Sequence, residues 1–314
     1  MKSVVVSAHN PMTGGRHLGH YVSTMIDWLS IEKDHELFII IDDLIATILY
    51  PRSRKEIERR TFQVAKEFIA TGVNFDENHL VLTSMIPEMC ELSLFASIGI
   101  DHEWCRRLYT ESFAGLLDSY QRKELNLPRY PSLAEVSYPQ ICLAALTIGL
   151  RTDFFQGGEE MRGYLQIMEA MVEGFQGITL RVPALLTTKC TFLPGTDGNH
   201  MWGENAVYLS DSEEAIYQSI SKTKSLNVFK RWCMACNQQE LVQTFGMESD
   251  NVSKDSCQLM ADYLVREFSK FRDFRISNQE IIDIFKNSSI VARERLKELL
   301  IEAKTLLGVT GFSR

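Results

Sequence analysis

Short apolar runs rich in β-branched residues alternate with amphipathic stretches through the first half of the chain. Four of these runs have the length and composition of buried strands, at residues 3–8, 36–42, 79–83 and 153–156. Strands that alternate with helices form right-handed βαβ units, and such units build a parallel sheet with helices on both faces. The pattern therefore predicts an α/β fold with a doubly wound parallel sheet.

The amphipathic stretches predict the helices of this fold. They cover residues 17–33, 53–71, 87–120, 133–150 and 161–175. Three residue pairs have the spacing of a capping box, in which two side chains at a helix start accept from each other's main chain: Ser53 with Glu56, Asp211 with Glu214, and Ser277 with Glu280. From residue 211 onwards the pattern is helical. We therefore expect a domain boundary in the loop at residues 193–205, which contains glycine, proline and asparagine.

The segment that joins the first strand to the first helix carries a candidate phosphate-binding site. It reads TGGRHLGH and runs from Thr13 to His20. Ligands of a doubly wound sheet dock outside the carboxyl ends of its strands, and a helix start offers unpaired N–H groups. Glycines let the main chain come close to a polyphosphate. His17 and His20 project from nearly the same helix face, where they can donate hydrogen bonds to phosphate oxygens.

Other interpretations of these residues stay open. Two histidines at this spacing would also suit half of a metal site, although no carboxylate or cysteine has a matching spacing, and they would equally suit a solvated surface. A dinucleotide site is excluded because no G-x-G-x-x-G follows the first strand. The CxxC pair of Cys233 and Cys236 lies in a helical pattern, so we interpret it as two structural thiols rather than a metal or redox site.

The motif after the first strand resembles the His-x-Gly-His motif of class I aminoacyl-tRNA synthetases, and the chain is most similar to their tryptophanyl branch. Residues 38–46 resemble the second strand and the Asp-Leu-His-Ala sequence of that family, with Ile45 in place of the His. Ser-Tyr-Pro at residues 137–139 resembles the family's Thr-Tyr-Pro, and Gly-Gly-Glu-Glu at 157–160 resembles its Val-Gly-Glu-Asp-Gln segment. Residues 292–308 resemble the C-terminal helix of the tryptophanyl branch. The resemblance implies a Rossmann-type catalytic domain over residues 1–195, which binds nucleotide and amino acid. It also implies a helical domain over residues 206–314, whose last helix returns to the catalytic domain.

The resemblance also implies roles for individual residues. The catalytic residues it implies are His17, His20 and His200. The ATP-binding residues it implies are Thr13, Gly14, His17, Gly19, His20, Gly158, Glu160 and Met201. The amino-acid-binding residues it implies are Tyr138, Cys142, Ala145 and Met161. The implied cofactors are ATP and Mg²⁺, with no metal ion held by protein residues.

The amino-acid pocket departs from the family at three positions. Ala145 stands where the family has an Asp that binds the polar tip of the substrate side chain. Cys142 replaces a Gln or Met, and Met161 replaces a Gln. An unpaired buried donor costs about 1–3 kcal/mol. We therefore expect a more apolar pocket that uses tryptophan less efficiently than a tryptophanyl enzyme does.

The second ATP-binding motif of the family, Lys-Met-Ser-Lys-Ser, is degenerate in this chain. The matching residues 199–205 read NHMWGEN, so only Met201 is kept, His200 and Gly203 replace the two lysines, and Glu204 adds a negative charge. A lysine contact made in the transition state is worth about 10²–10³ in rate. Two functions therefore stay open. One is ATP-dependent activation of an amino acid and transfer to an acceptor, tRNA in the simplest case. The other is a paralogue with lost or altered chemistry, either a regulatory amino-acid- and nucleotide-binding dimer or a biosynthetic ligase with a non-tRNA acceptor.

Composition bounds the partners and the compartment. The net charge of −8 argues against nucleic-acid binding by bulk electrostatics, so a tRNA partner would need a local basic strip. No apolar stretch approaches the roughly 18 residues of a membrane span, so we expect no membrane partner. Seven cysteines without a secretory segment predict reduced thiols in the cytoplasm. The resemblance implies a homodimer, formed through the predicted helices at residues 87–120.

Overall fold

A computed structural model of the chain describes residues 2–13, 15–50, 53–108, 131–158, 161–187, 190, 193–201, 203–223, 225–238, 240–241 and 253–309. Five strands in this part of the chain form one sheet: β1 (Ser3–His9), β2 (His35–Ile41), β3 (His79–Leu82), β4 (Phe154–Gly157) and β5 (Ala184–Thr187). All neighbouring strands pair in parallel, in the order β3-β2-β1-β4-β5. The predicted α/β fold class is confirmed.

The longest described helices lie after residue 250. In the part of the chain before residue 190 that the structure describes, the helices are α1 (Leu18–Ser23), α2 (Trp28–Asp34), α3 (Asp43–Leu49), α4 (Arg54–Ile69), α5 (Glu88–Ser97), α6 (His102–Leu108), α7 (Leu133–Ser137), α8 (Leu143–Gly149) and α9 (Arg162–Gly174). The described helices that follow are α10 (Glu213–Ser221), α11 (Leu226–Ala235), α12 (Lys254–Asp273) and α13 (Asn278–Leu306). None of the described helices is long and apolar enough to cross a membrane.

Alternate residues of the strands point to opposite faces of the sheet and enter two separate cores. Val5 and Ile39 pack with α1, α2, α4 and α10 to α12 on one face. Val6 and Ile40 pack with α5, α8, α9 and the second half of α13 on the other face. The two covered faces explain why the central strands read as continuous apolar runs rather than as alternating ones.

The four predicted strands are present within two residues of their predicted bounds, whereas β5 has no counterpart among them. Ala184 and Thr187 at the ends of β5 are exposed, and the two leucines between them are only half-buried. An edge strand with one neighbour buries less apolar surface than a central strand. The sequence of β5 therefore lacks the buried β-branched run on which the strand predictions depend.

The predicted helix at residues 17–33 is interrupted at Thr24, where a 3-10 turn over Met25–Asp27 joins α1 to α2. The side-chain amide of Gln156 in β4 donates to the main-chain oxygen of Thr24 at 3.2 Å. The Thr24 hydroxyl donates to the main-chain oxygen of His20 at 3.0 Å. The bond from Gln156 thus gives the main-chain oxygen of Thr24 a partner outside the helix at the point where α1 ends.

Two other predicted helices also differ from expectation. The one at residues 133–150 contains a π-helical segment, Tyr138–Cys142, between α7 and α8. The one at residues 87–120 is divided into α5 and α6, and its residues 109–120 lie outside the described part of the chain.

One of the three predicted capping boxes is confirmed and two are wrong. The main-chain N–H of Ser277 donates to Glu280 at 2.9 Å, and the N–H of Glu280 donates to the Ser277 hydroxyl at 3.2 Å. Glu56 does not cap α4 because it is held by Arg59 and Arg60. In α10 the cap is Ser212 rather than Asp211. The carboxylate of Asp211 instead accepts from the main chain of Tyr208 at 2.9 Å.

The last helix, α13, returns to the sheet. The main-chain N–H of Leu80 in β3 donates to the Ser288 hydroxyl at 2.9 Å. Arg295 lies 2.6 Å and 2.7 Å from the two carboxylate oxygens of Glu36 in β2. Residues of α13 enter both cores, so the helix closes the β3 side of the molecule. The division into domains at residues 1–195 and 206–314 stays a prediction.

Candidate functional site

The loop that follows β1 is held in place by a buried arginine. Arg16 is 1% exposed, and its guanidinium donates to the main-chain oxygen of Asn10 at 3.1 Å. The main-chain N–H of Arg16 donates to the carboxylate of Glu67 in α4 at 2.8 Å. Burial lowers the pKa of Arg16 to about 10, while the nearby Glu67 raises it and Arg60 lowers it. The loop is therefore anchored to α4 before the first helix begins.

The same loop is packed tightly between α4 and the segment at residues 207–209. A Cβ atom at Gly15 would lie 2.9 Å from Nε2 of Gln63 and 3.4 Å from the ring of Tyr208, so a larger residue here would displace the amide of Gln63. The main-chain oxygen of Arg16 accepts from Leu209 at 2.8 Å, and Leu18 donates to the oxygen of Val207 at 2.9 Å. The side chain of Thr13 and all of Gly14 lie outside the described part of the chain. Their proposed part in ATP binding stays a prediction.

His17 and His20 lie side by side at the start of α1. Their ring centroids are 3.8 Å apart. The main-chain N–H of His17 donates to Nδ1 of His20 at 3.3 Å. Because Nδ1 of His20 accepts this bond, the proton of a neutral ring is on Nε2, where it can be donated to a ligand. Nδ1 of His17 is buried and has no hydrogen bond within the described residues.

Both histidines are neutral at neutral pH. Burial, with smaller contributions from the nearby Arg16 and His200, lowers the pKa of His17 to about 3. Burial also lowers the pKa of His20 well below its usual value, and Arg16, His17, His9 and His200 add to this effect. Neutral imidazoles can still donate hydrogen bonds to phosphate oxygens. His200 also lowers the pKa of both rings, which indicates that it lies near them. The catalytic role of the three histidines stays a prediction.

The loop at residues 199–205 docks on the helix that carries His17 and His20. Met201 is 1% exposed, and its Sδ atom accepts from the main-chain N–H of Gly19 at 3.4 Å. The amide of Asn205 donates to the oxygen of His200 at 2.9 Å and to Asp197 at 2.8 Å. The structure therefore brings together Gly19 and Met201, which the sequence predicted for one ATP site.

A second group of polar residues lies at the carboxyl end of β2, next to β1. The hydroxyl of Tyr138, on the π-helical segment, donates to Oδ1 of Asp42 at 2.8 Å. The same oxygen accepts from the main chain of Ile45 and from the hydroxyl of Thr83, each at 3.0 Å. Burial raises the pKa of Asp42 to about 6, although these hydrogen bonds and Tyr138 oppose the increase. Burial and the adjacent Asp42 raise the pKa of Tyr138, so the phenol keeps its proton.

Asp42 is the residue of this group that the sequence-based site prediction omits. Asp42 directly follows a buried strand, which is where doubly wound sheets carry ligand-binding side chains. This position at the end of a buried strand is the sequence signal that could have identified Asp42 as a site residue. The expectation of a pocket more apolar than the family's rests on Cys142, Ala145 and Met161 and stays a prediction, although Asp42 places a carboxylate against Tyr138.

The other predicted pocket residues belong to, or pack against, the same core as Tyr138. Cys142 donates to the Ser93 hydroxyl at 3.4 Å, and burial raises the pKa of its thiol to about 11 despite that bond. Ala145 is buried in α8 and contributes only a methyl group. Met161 lies against Gly157, where a Cβ atom would be 2.5 Å from its Cγ.

The proposed nucleotide-binding residues after β4 are only partly described. The main-chain oxygen of Gly158 accepts from the N–H of Met161 at 3.0 Å. Glu160 lies outside the described residues, so its contact with the nucleotide stays a prediction.

The described residues contain no group of three or more His, Cys, Asp or Glu side chains that could hold a metal ion. The expected use of Mg²⁺ together with ATP stays a prediction. Cys233 and Cys236 are buried in the core beside α12, and the Cys233 thiol lies 3.9 Å from Sδ of Met260. Their packing agrees with the structural interpretation of this pair.

The parallel sheet and the polar groups at the ends of β1 and β2 define the class of α/β proteins that bind ligands at the carboxyl ends of a doubly wound sheet. Within this class, residues 2–285 match the sequence profile of the family described as tRNA synthetases class I (W and Y). The chain belongs to this family.

Similar proteins and structures extend over nearly the whole chain. The tryptophan–tRNA ligase of Rickettsia typhi is 23% identical over 98% of this chain and 92% of its own length. That of Clostridium longisporum is 22% identical over 99% of this chain and 98% of its own length. The structure of tryptophanyl-tRNA synthetase from Campylobacter jejuni complexed with ADP and tryptophan superposes with a TM-score of 0.78, 17% identity, and coverage of 97% and 99%. That from Mycoplasma pneumoniae gives a TM-score of 0.77, 14% identity, and coverage of 99% of both chains.

Proposed function

We propose that this protein activates an amino acid with ATP as the aminoacyl-adenylate and transfers it to an acceptor, tRNA in the simplest case. The observation that carries the proposal is the convergence of His17, His20, His200 and Met201 at the end of β1, beside Asp42 and Tyr138 at the end of β2. One group suits a polyphosphate and the other suits an amino acid. In this proposal residues 1–195 form the catalytic domain, and ATP acts together with Mg²⁺.

The proposed reaction needs an in-line attack on the α-phosphate. A carboxylate oxygen of the amino acid forms a bond to the α-phosphorus of ATP. The bond between the α-phosphorus and the oxygen that bridges to the β-phosphate breaks. The electron pair leaves with pyrophosphate, and no proton is transferred. The Nε2 proton of His20 stabilises the charge that develops on the phosphate oxygens, because the main-chain N–H groups of His17, Leu18 and Gly19 already donate within the protein. The protein supplies mainly positioning and fixed hydrogen-bond donors, as is usual for phosphoryl chemistry.

The site has fewer cations than this chemistry ordinarily uses. The described part of the 199–205 loop contains no lysine, and Glu204 in it is exposed. Each missing cationic contact lowers the rate by about 10²–10³. We therefore expect the adenylate to form slowly, at a rate that depends strongly on His17 and His20.

A second candidate function follows from the same loop. A protein that binds amino acid and nucleotide without rapid activation would keep the His17–His20 pair and Tyr138 while losing the lysines. A ligase with a non-tRNA acceptor would show the same loss if its adenylate forms slowly.

The net charge of −8 argues against tRNA binding through bulk electrostatic attraction. All seven cysteines keep their thiols instead of forming disulfides, which supports a reducing cytoplasmic location.

ATP–pyrophosphate exchange across the twenty amino acids, together with calorimetry of ATP binding, tests the proposal. Exchange with one or a few amino acids is the expected result. The double variant His17→Ala/His20→Ala should weaken ATP binding or abolish exchange, whereas the exposed His102→Ala should leave both unchanged. Nucleotide binding without exchange would support the second candidate. Absence of nucleotide binding to the wild type would overturn both.

A further inference from the structure

One face of α4 lies against the loop that leads to the histidine pair. Glu67 accepts from the main-chain N–H of Arg16 in this loop at 2.8 Å. Nε2 of Gln63 would lie 2.9 Å from a Cβ atom at Gly15. Arg60 lies three residues before Gln63 and seven before Glu67, and these spacings bring side chains to the same face of a helix. Arg60 is therefore on the face of α4 that packs against this loop, one helical turn nearer to the start of the helix.

Arg60 keeps donors that no described residue uses. Its Nε atom donates to Oε1 of Glu56 at 2.5 Å, and its two terminal amino groups bond to no described residue. Arg59 contacts the same carboxylate through two nitrogens, at 2.8 Å and 2.7 Å, and its third nitrogen donates to Gln63 at 3.3 Å. One carboxylate cannot neutralise two guanidinium groups, so the three side chains keep one excess positive charge. Because Arg59 engages both oxygens of Glu56, Arg60 is the guanidinium with free donors.

Tyr208 connects this face of α4 to the lysine-free loop at residues 199–205. Its ring lies 3.4 Å from the position of a Cβ atom at Gly15, and the ring centroid is 6.1 Å from that of His17. Its hydroxyl donates to the main-chain oxygen of Gly203 at 3.3 Å. A Cβ atom at Gly203 would meet no described atom within 4 Å. Gly203, where the family has a lysine, therefore leaves open space beside Tyr208 instead of a cation.

The charge of Arg60 reaches both Tyr208 and the loop after β1. Burial and the nearby Asp211 raise the pKa of Tyr208, whereas its bond to Gly203 and the charge of Arg60 lower it. Burial is the main cause of the lowered pKa of Arg16, and the charge of Arg60 contributes to it. Electrostatic effects of this kind decrease with distance, so the guanidinium of Arg60 lies near both groups. The side chain of Arg60 is only 28% exposed, so solvent screens its charge incompletely.

We propose that Arg60 binds the β- and γ-phosphates of ATP and takes over part of the role of the two lysines that the 199–205 loop lacks. This inference rests on the proposed activation of an amino acid with ATP. The terminal amino groups of a guanidinium form a planar fork that matches two phosphate oxygens. Negative charge builds up on the departing pyrophosphate, so a fixed guanidinium at this point stabilises the transition state. Glu56 holds the side chain through Nε and leaves the fork free for the phosphates.

The variant Arg60→Gln removes the charge and the fork, and Arg59→Gln is its matched control. Arg59 is the neighbouring residue and shares Glu56, but each of its three guanidinium nitrogens already has a partner. Arg60→Lys keeps a positive charge without the planar fork. Ion pairs near the surface contribute little to stability, so thermal unfolding should show that all three variants keep their fold.

Calorimetry with ATP, AMP and inorganic tripolyphosphate locates the contact. The loss of a hydrogen bond to a charged group weakens binding about 10- to 100-fold. We expect this loss for ATP and tripolyphosphate in Arg60→Gln and a smaller one in Arg60→Lys. Arg59→Gln should change both affinities by less than about twofold, because its side chain is already paired within the protein. AMP has no β- or γ-phosphate, so its affinity should stay the same in all three variants.

ATP–pyrophosphate exchange measures the effect on the reaction. Arg60→Gln should lower the exchange rate by about 10²–10³, because the contact is strongest with the departing pyrophosphate. Arg60→Lys should recover part of this loss, since it restores the charge but not the fork. Arg59→Gln should exchange at the wild-type rate.

The outcomes separate this assignment from the proposed function. Unchanged ATP and tripolyphosphate affinities in Arg60→Gln would overturn the assignment, as would equal losses in Arg60→Gln and Arg59→Gln. A loss for AMP as large as that for ATP would also overturn it, because the contact would then not be with the β- and γ-phosphates. A wild type that binds ATP through Arg60 but exchanges with no amino acid would refute the proposed activation and leave the phosphate contact in place. A wild type that binds neither ATP nor tripolyphosphate would overturn both.

Discussion

The main-chain N–H of Gly19 points to the Sδ atom of Met201, 3.4 Å away, although 182 residues separate them in the sequence. A Cβ atom at position 19 would lie 3.7 Å from the same sulfur and 3.0 Å from the ring of His17. The contact fixes the lysine-free loop against the helix that carries the two histidines. The loop at residues 199–205 thus packs beside the histidine-bearing helix although His200 and Gly203 stand where the family has lysines.

This contact predicts that Met201 supports both stability and nucleotide binding. Met201→Ala removes a buried side chain, so it should lower the free energy of unfolding by about 2–5 kcal/mol. Met201→Leu keeps the volume and should cost less than about 1.5 kcal/mol. Urea unfolding measures both changes, and calorimetry should show weaker ATP binding in the alanine variant. Equal ATP affinity in a destabilised Met201→Ala would show that the loop does not contribute to the ATP site.

The buried histidines predict a loss of stability on mild acidification. Burial, with a contribution from Arg16, lowers the pKa of His9 to about 3. The unfolded chain binds a proton below about pH 6.5 that the folded chain does not bind, so stability is present above that pH and decreases as the pH falls. His9→Gln should reduce this slope by up to about 1.4 kcal/mol per pH unit between pH 6 and 4.5.

Chemical unfolding at several pH values measures the slope. The exposed His102→Gln is the control and should leave the slope unchanged. A His9→Gln slope equal to that of wild type would mean that His9 is protonated in the folded protein.

The ion pair of Glu36 with Arg295 predicts a stability contribution from the returning helix. Burial of Glu36 acts to raise its pKa, but hydrogen bonds from His79 and Arg295 outweigh burial and hold the pKa at about 2. The contribution is therefore present above about pH 4.5 and lost as the pH falls toward 2. Arg295→Gln should lower the free energy of unfolding at pH 7 by about 1–2 kcal/mol, after allowance for solvent screening.

Lys286 offers a matched comparison on the same helix. It pairs with Asp283 at 3.5 Å, and both side chains are more than half exposed. Lys286→Gln should therefore change stability by less than about 0.5 kcal/mol. If Arg295→Gln and Lys286→Gln lower the free energy of unfolding by the same amount, the Glu36–Arg295 pair contributes no more than an ordinary surface pair.

Exposed apolar residues on α5 predict a dimer. Leu94 and Ile98 are 64% and 72% exposed, and they lie four residues apart at the end of this helix. We expect them to be covered by a second copy of the chain, so the double variant Leu94→Arg/Ile98→Arg should be monomeric. Light scattering at micromolar concentration should give about twice the chain mass of 35.9 kDa for wild type and the chain mass for the variant. Ile290→Arg, at 56% exposure on α13, is the control and should stay dimeric.

The sequence predicted the parts of the molecule that depend on local pattern. The strands β1 to β4 were predictable because their apolar runs are long enough to be buried on both faces. The break at Thr24 was not predictable from local pattern, because the amide that bonds the main-chain oxygen there belongs to Gln156, 132 residues away. The pairing of Asp42 with Tyr138 across 96 residues likewise depends on which strand lies beside which helix. The histidine pair was predictable from its spacing, whereas its neutral charge state follows from burial that only the fold provides.

The return of α13 to the sheet also sets the order in which the chain can finish folding. The hydrogen-bond partner of Leu80 is Ser288, 208 residues later. At about 5–20 residues per second, ribosomal synthesis separates these residues by about 10–40 s. Throughout that interval the outer edge of β3 is an exposed strand edge, which is a template for pairing with other chains. We therefore expect the nascent protein to be most prone to aggregation before α13 emerges, and a ribosome paused between β3 and α13 to prolong that exposure.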